Sequence, residues 1–116
     1  MKNIAFYVCP KCNNLITATG DAQISCCGEK TEALVAAKAS QPHVVTIEPV
    51  ENELYITSPH EMRKDHHISF VAYVTGDKAL LIRQYPEWDL SVRFQKFGHG
   101  KIYFYCSNHG LFYQLI

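Results

Sequence analysis

Four cysteines fall within the first quarter of the 116-residue sequence: Cys9, Cys12, Cys26 and Cys27. Cys9-Pro10-Lys11-Cys12 is a Cys-x-x-Cys knuckle, in which two sulfurs can reach one ion while the intervening amides turn towards them. Cys26-Cys27 completes the set, and Gly28 follows where the backbone must turn tightly. Four thiolates around one ion make a tetrahedral site that suits zinc and iron alike. Neighbouring side chains leave an extended strand in opposite directions, so both members of the adjacent pair can ligate only where the chain bends sharply. A distorted S4 geometry is therefore expected. A structural zinc site is the commoner use of four cysteines. A thioredoxin-type redox pair is a further reading, but no βαβ pattern surrounds the knuckle.

A second set of donors is scattered. Cys106-Ser107-Asn108-His109 places a thiol and an imidazole three residues apart, close enough for one metal. His60 and His66 bracket the segment Pro59-His60-Glu61-Met62-Arg63-Lys64-Asp65-His66, and His43 precedes an alternating stretch. His43 is in phase with Val45 and Ile47, His66 with Ile68 and Phe70, and Cys106 with Ile102 and Phe104, so these three share the phase of the apolar residues near strand ends. His67 has the opposite parity and reads as a surface or packing residue. His99 lies between Gly98 and Gly100 at a hairpin tip and reads as solvent-exposed. Single histidines are usually core or surface residues, and a Cys-x-x-His pair alone is weak evidence. Four histidines plus one cysteine nonetheless exceed the four ligands zinc prefers. Five donors that leave one position open suit iron(II) that must meet a small molecule.

The elements that must position these donors divide in two. Every cysteine but one precedes residue 28, and all six histidines follow residue 42. The first unit runs to about residue 36 and carries the turn-formers Asn13-Asn14, Thr19-Gly20-Asp21 and Gly28. So short a segment cannot fold by apolar burial alone and needs a staple, which a metal held by its cysteines provides. Residues 33–42 read as a linker with room for one helical turn, and Pro42 disfavours helix at Gln41. Beyond it the pattern has period two. Val45 and Ile47 alternate with polar residues, as do Leu54 and Ile56, then Ile68, Phe70, Ala72 and Val74, then Val92 and Phe94, then Ile102 and Phe104. Turn residues separate the runs, and about seven short strands at this spacing predict an antiparallel β-sandwich.

Composition sets the outer limits. Hydrophobic residues make up 47% and charged residues 19%, enough to bury a core. Eleven basic and eleven acidic residues give a formal net charge of zero with no basic run, which argues against nucleic acid or an anionic membrane as the main partner. The N-terminal stretch lacks the long apolar run of a signal peptide, and no segment is long enough to span a bilayer. A cytoplasmic location follows as an expectation. In a reducing compartment five cysteines point to metal or redox chemistry before structural disulfides.

The combination Cys9, Cys12, Cys26, Cys27, His43, His60, His66, Cys106 and His109 resembles desulfoferrodoxin, the two-iron class of superoxide reductase. Residues 59–66 and Tyr-Cys-Ser-Asn-His-Gly-Leu at 105–111 look like that family's two signature stretches, and the likeness spans essentially the whole chain. The resemblance implies a mainly-β chain in two parts. Residues 1–36 would form a desulforedoxin-like, rubredoxin-like module with an Fe(Cys)4 centre, in which zinc could substitute. Residues 37–116 would form an immunoglobulin-like antiparallel β-sandwich with a second iron. There His43, His60, His66 and His109 would lie equatorially, His109 through Nδ1 and the others through Nε2, and Cys106 would bind axially. The implied activity is that of an oxidoreductase in oxidative-stress defence: superoxide is reduced to hydrogen peroxide by one electron and two protons, without release of dioxygen. A donor such as rubredoxin would supply the electron, the Fe(Cys)4 centre would store or relay one, and the protein would be a homodimer.

One departure stands out. The family usually has a glutamate and a lysine directly before the first histidine ligand; here Gln41 and Pro42 take those places, and neither carries charge. Lys38 and Lys64 are the candidates for the missing positive charge. Two other function classes stay open at this point. One is an electron carrier working through the four-cysteine centre, and the other a zinc-binding structural module.

Overall fold

A computed structural model describes residues 4–9, 11–12, 14–19, 22–39, 44–58, 62–63, 66–76 and 78–116. The chain divides into two compact units, Met1–Val35 and Ala36–Ile116.

The first unit is built from two short hairpins. β1 (Ala5–Val8) pairs antiparallel with β2 (Leu15–Ala18), with Val8 opposite Leu15. The Cys9 amide donates to the Asn14 carbonyl at 3.0 Å, which carries the ladder one step into the knuckle. β3 (Ile24–Cys26) pairs with β4 (Glu29–Thr31), and the Leu34 amide then donates to the Phe6 carbonyl at 2.8 Å. Among the described residues of this unit the buried side chains are Phe6, Tyr7, Cys9 and Thr31. Two aromatic rings cannot offset the roughly 1–2 kcal/mol per residue that ordering a backbone costs, so the unit depends on what its cysteines hold.

The second unit is a two-sheet sandwich. Its strands are β5 (Ala37–Lys38), β6 (Thr46–Val50), β7 (Glu53–Ser58), β8 (Ile68–Val74), β9 (Ala79–Arg83), β10 (Leu90–Gln95), β11 (Lys101–Cys106) and β12 (Gly110–Leu115). One sheet has the order β10-β7-β6 and the other β5-β12-β11-β8-β9. Leu54, Ile56, Leu90, Val92 and Phe94 from the first sheet meet Ile68, Val71, Tyr73, Ile102, Phe104 and Cys106 from the second. β10 alternates buried and exposed residues without exception, as a strand with one face on a core must. The mainly-β architecture expected from the sequence, a small cysteine-bearing module and then a sandwich, is the one observed.

Two local expectations are corrected. The described part of the 33–42 linker contains no helical turn. Ala37 and Lys38 form β5, parallel to β12 and in register with Phe112 and Tyr113. In addition, the alternation assigned to β8 does not run through. Tyr105 pairs with Phe70, but Cys106 pairs with Ile68, so Ser69 is the extra residue of a β-bulge. A bulge inverts the side-chain phase beyond it. Ile68 therefore shares the sandwich core with Val71 and Tyr73, while Phe70 stacks on Tyr105 at 5.8 Å.

Polar groups also join the two sheets. The Val45 amide donates to Gln114 Oε1 at 2.7 Å, and Gln114 Nε2 donates to the Val45 carbonyl at 3.1 Å. The fully buried Tyr73 donates its hydroxyl to the Gly98 carbonyl at 2.6 Å and accepts the Phe97 amide at 3.2 Å. Tyr73→Phe should cost about 1–3 kcal/mol, because a carbonyl and an amide both lose their partner. Urea denaturation of the intact chain checks this, and an unchanged midpoint would show that the loop before β11 is held by other contacts. No helix among the described residues is long and apolar enough to cross a membrane.

Candidate metal centres

The Sγ atoms of Cys9, Cys12, Cys26 and Cys27 all lie within 4.8 Å of one another. Cys12 and Cys26 are 3.6 Å apart and Cys26 and Cys27 4.0 Å. A tetrahedral ion with bonds of about 2.3 Å to sulfur places its sulfurs about 3.8 Å apart, so these spacings fit a tetrahedral metal.

The backbone explains how adjacent cysteines join one cluster. Cys26 pairs with Glu29, so the β3–β4 loop is the dipeptide Cys27-Gly28. Its φ angles are +55° and +78°, both in the left-handed region, as the primed turn of a tight hairpin requires. This turn supplies the sharp bend that an extended strand cannot. A β-carbon at Gly28 would meet no atom within 4 Å, so the positive φ alone demands glycine there. Gly28→Ala should therefore destabilise the metal-loaded first unit by about 1–2 kcal/mol. Thermal melts read at the metal-thiolate absorption test this, and a melt identical to the unsubstituted chain would contradict the turn assignment.

Charge is unevenly shared within the cluster. The backbone amides of Cys12 and Lys11 donate to the Cys9 sulfur and lower its pKa to about 6. The sulfurs of Cys12 and Cys9 push Cys27 up to about 12, and they raise Cys26 as well. Negative charge thus collects on Cys9 and resists further ionisation, a situation that a bound cation reverses. Cys9 is buried and Cys26 half-buried, whereas Cys12 and Cys27 are exposed. Lys11 Nζ meets Glu29 Oε1 at 3.0 Å, tying the knuckle to the β3–β4 hairpin.

The second cluster joins His66, Cys106 and His109, whose donor atoms also lie within 4.8 Å. Cys106 ends β11 and faces the sandwich interior with Ile102 and Phe104, fully buried. The chain then turns: the His109 amide donates to the Cys106 carbonyl at 3.3 Å, and Gly110 opens β12 with φ +97°. This is a three-residue hairpin loop, Ser107 to His109, followed by the left-handed Gly110 at the first position of β12. It brings Cys106 Sγ to 3.4 Å from His109 Nδ1 and is the physical reason for the Cys-x-x-His spacing. His109 itself is exposed.

His66 arrives from the other side. A reciprocal pair of backbone hydrogen bonds, Arg63 amide to His66 carbonyl at 2.9 Å and the reverse at 3.1 Å, joins these two residues before β8. The imidazoles of His66 and His109 then meet edge to face, with ring centroids 5.1 Å apart. A soft thiol with imidazoles suits a transition metal rather than calcium or magnesium.

His43 and His60, two of the ligands expected from the sequence, lie outside the described residues, as do Gln41, Pro42 and Lys64. Lys38 is exposed on β5 beside Tyr113, and Tyr113 is three residues along β12 from Gly110, a strand rise of about 10 Å. His99 is exposed, with Nδ1 3.2 Å from the Ile116 carbonyl oxygen. His67 is half-buried, and burial holds its imidazole below the ordinary range. Sequence reasoning missed Ser107 and the Ser69 bulge. Serine between a cysteine and a histidine at a hairpin tip was the available signal for the first, and nothing in the alternation marked the second.

No protein-family model matches the chain. It is 29% identical over 117 residues to the desulfoferrodoxin homologue of Methanothermobacter thermautotrophicus, an alignment covering 90% of this chain and 93% of the relative. Its structure matches the crystal structure of the superoxide reductase from Treponema pallidum with a TM-score of 0.83 at 17% identity, covering 98% of this chain and 99% of the other. At that identity the second likeness is one of fold. The chain is thus similar in sequence, along most of its length, to a desulfoferrodoxin homologue, and it shares the fold of a superoxide reductase over nearly all of it.

Proposed function

We propose that this chain is a superoxide reductase: it takes one electron from an outside donor and passes it to superoxide, which with two protons becomes hydrogen peroxide. The observation that carries the reading is the buried Cys106 sulfur, 3.4 Å from His109 Nδ1 with His66 beside it. The sequence similarity to a desulfoferrodoxin homologue supports it. His66, Cys106 and His109, with His43 and His60, would hold the reactive iron. Cys9, Cys12, Cys26 and Cys27 would hold a second iron, for which zinc can substitute. Bound iron supplies the one-electron couple.

The side chains do the rest. Cys106 would hold the iron through its sulfur from the buried side of the site. The imidazoles add no negative charge, so the centre keeps the positive potential that draws in an anion. His109 is exposed while Cys106 is buried, so a small anion approaches from the His109 rim. Residues 37–116 would carry this reaction and residues 1–36 would store or relay an electron. A rubredoxin-type donor, a homodimer and a cytoplasmic location belong to the same reading.

Gln41 and Pro42 carry no charge, which leaves Lys64, two residues before His66 in sequence, as the steering cation; Lys38 lies well along β12 from the hairpin tip. Lys64→Ala should slow oxidation by superoxide about threefold to tenfold and flatten its salt dependence, while Lys38→Ala should change neither. Rate measurements at two ionic strengths decide, and equal effects of the two substitutions would remove Lys64 from this role.

The function as a whole is tested by mixing the reduced, iron-loaded protein with superoxide in a stopped-flow instrument. Rapid oxidation of the second centre with one peroxide formed per superoxide and no dioxygen supports it. Inertness overturns it and favours an electron carrier, a reading that the exposed Cys12 and Cys27 sulfurs support by opening the first cluster to a partner. Metal content after anaerobic purification separates both from a zinc-binding structural module.

A further inference from the structure

We infer that Ser107 is the clasp of the second metal centre, a positioning residue that holds His66 against the Cys106–His109 hairpin. This rests on the reading of that cluster as a metal centre. The cluster is assembled from two pieces of chain that regular structure does not join. The β8–β11 ladder ends at the pair Ile68 and Cys106, and His66 lies beyond β8 while His109 lies beyond β11.

Past the end of the ladder Ser107 makes two bonds to one residue. Its amide donates to the His67 carbonyl at 2.9 Å, and its Oγ accepts the His67 amide at 3.1 Å. The pair has the form of one more ladder step, with a side-chain oxygen standing where a strand would offer a carbonyl. The hydroxyl stands where the Ser107 carbonyl would serve in a regular strand pair, and the chain is already turning there, since the His109 amide donates to the Cys106 carbonyl at 3.3 Å.

The clasp acts on the metal through two neighbours. Ser107 follows Cys106 directly, and His67 follows His66 directly. The Arg63–His66 backbone pair holds the other flank of His66, so His66 is held on one side by Arg63 and on the other, through His67, by Ser107. Without the hydroxyl, the His67 amide turns to water, and the segment bearing His66 can swing from the hairpin without disturbing the core. A residue that orients ligands in this way sets how long the metal stays, more than whether the domain folds.

The test uses the full chain loaded with cobalt(II), whose thiolate absorption at the second centre reports the His-and-Cys site. Loss of that band to a chelator is timed for the unsubstituted chain, Ser107→Ala and Ser107→Thr. The first cluster, in the same molecule, is the internal control, and the urea midpoint of the second unit is measured in parallel. Ser107→Ala should lose the second-centre band about threefold to tenfold faster, the worth of one net hydrogen bond. First-cluster loss should stay unchanged, the urea midpoint should fall by no more than the worth of that one bond, and Ser107→Thr should restore both the slow rate and the midpoint. A Ser107→Ala rate within about twofold of the original, against that expected net bond, overturns the clasp. So does a fall in the urea midpoint that Ser107→Thr fails to rescue, which marks an ordinary structural residue. If the unsubstituted chain shows no thiolate band at the second cluster, the metal-centre reading fails and the clasp falls with it.

Discussion

Replacing Cys106 with serine is expected to abolish superoxide reduction and the thiolate-to-metal absorption of the second centre, while the four-cysteine centre keeps its metal and spectrum. Cys106 is the one cysteine of the second cluster, and its sulfur is fully buried at the end of β11. A serine hydroxyl stays protonated at neutral pH, so the substitution takes an anionic donor out of the site while changing little volume. In thiolate-ligated iron centres the sulfur governs how readily the metal passes electron density to a bound small molecule. Loss of a directly ligating group should exceed the roughly tenfold to hundredfold cost typical of an outer partner. The domain should survive. A hydroxyl in place of a thiol costs about 1–3 kcal/mol when buried, against a stability of about 5–15 kcal/mol for an ordinary domain. Anaerobic stopped-flow kinetics and visible spectra of the variant give the result, and circular dichroism establishes that it is folded. Full activity in folded Cys106→Ser would rule out the thiolate as the donor on which the proposed activity depends.

Stripping metal from the first cluster should unfold residues 5–34 and leave the sandwich intact. The burial pattern of the two units dictates the asymmetry. Phe6 and Tyr7 are the aromatic core of the first unit. The second encloses a cluster running from Val45 to Cys106 across both sheets. Metal binding by structural cysteine sites in small domains is worth about 10–16 kcal/mol at neutral pH, far more than two buried rings contribute at about 1.5–3 kcal/mol each. Cys9 near pKa 6 beside Cys27 near 12 adds to the dependence, because the ligand set cannot ionise fully until a cation is present. Hydrogen exchange on the chelator-treated, reduced chain is the direct measurement. The Leu34 amide, bonded to the Phe6 carbonyl, and the Cys9 amide, bonded to the Asn14 carbonyl, should lose protection. The amides of β8 and β11 should keep it. Protection retained at Leu34 and Cys9 after complete metal removal would mean that the first unit folds without its staple.

Much of the architecture was legible because burial leaves a periodic mark. β10 alternates core and solvent residues through all six positions, and its sequence reads the same way. β8 was harder to read. Five successive residues, Phe70 to Val74, are buried, so hydrophobicity along it does not say which side faces the sandwich. The bulge at Ser69 then inverts the phase with no change in composition. β5 was read as linker because two residues are too few to show any period, and its pairing with β12 is a property of the partner strand.

The donors themselves could be read from residue types. Cysteines and histidines are few, and their spacings reflect knuckle and hairpin geometry that is local in the chain. The sequence by itself therefore pointed to two donor sets, one of them all-thiol, and to Cys106 and His109 as spaced closely enough to share a metal. Only the tertiary structure decided how Cys26 and Cys27 both turn inward, through two left-handed residues of a two-residue loop. It likewise decided that His66 reaches Cys106 from forty residues away in sequence, and that Ser107 closes the gap between them. The physical reason is the same in each case. A local turn is encoded by the residues within it, whereas a meeting of distant segments depends on strand register and bulges, which many sequences of the same pattern would leave unspecified.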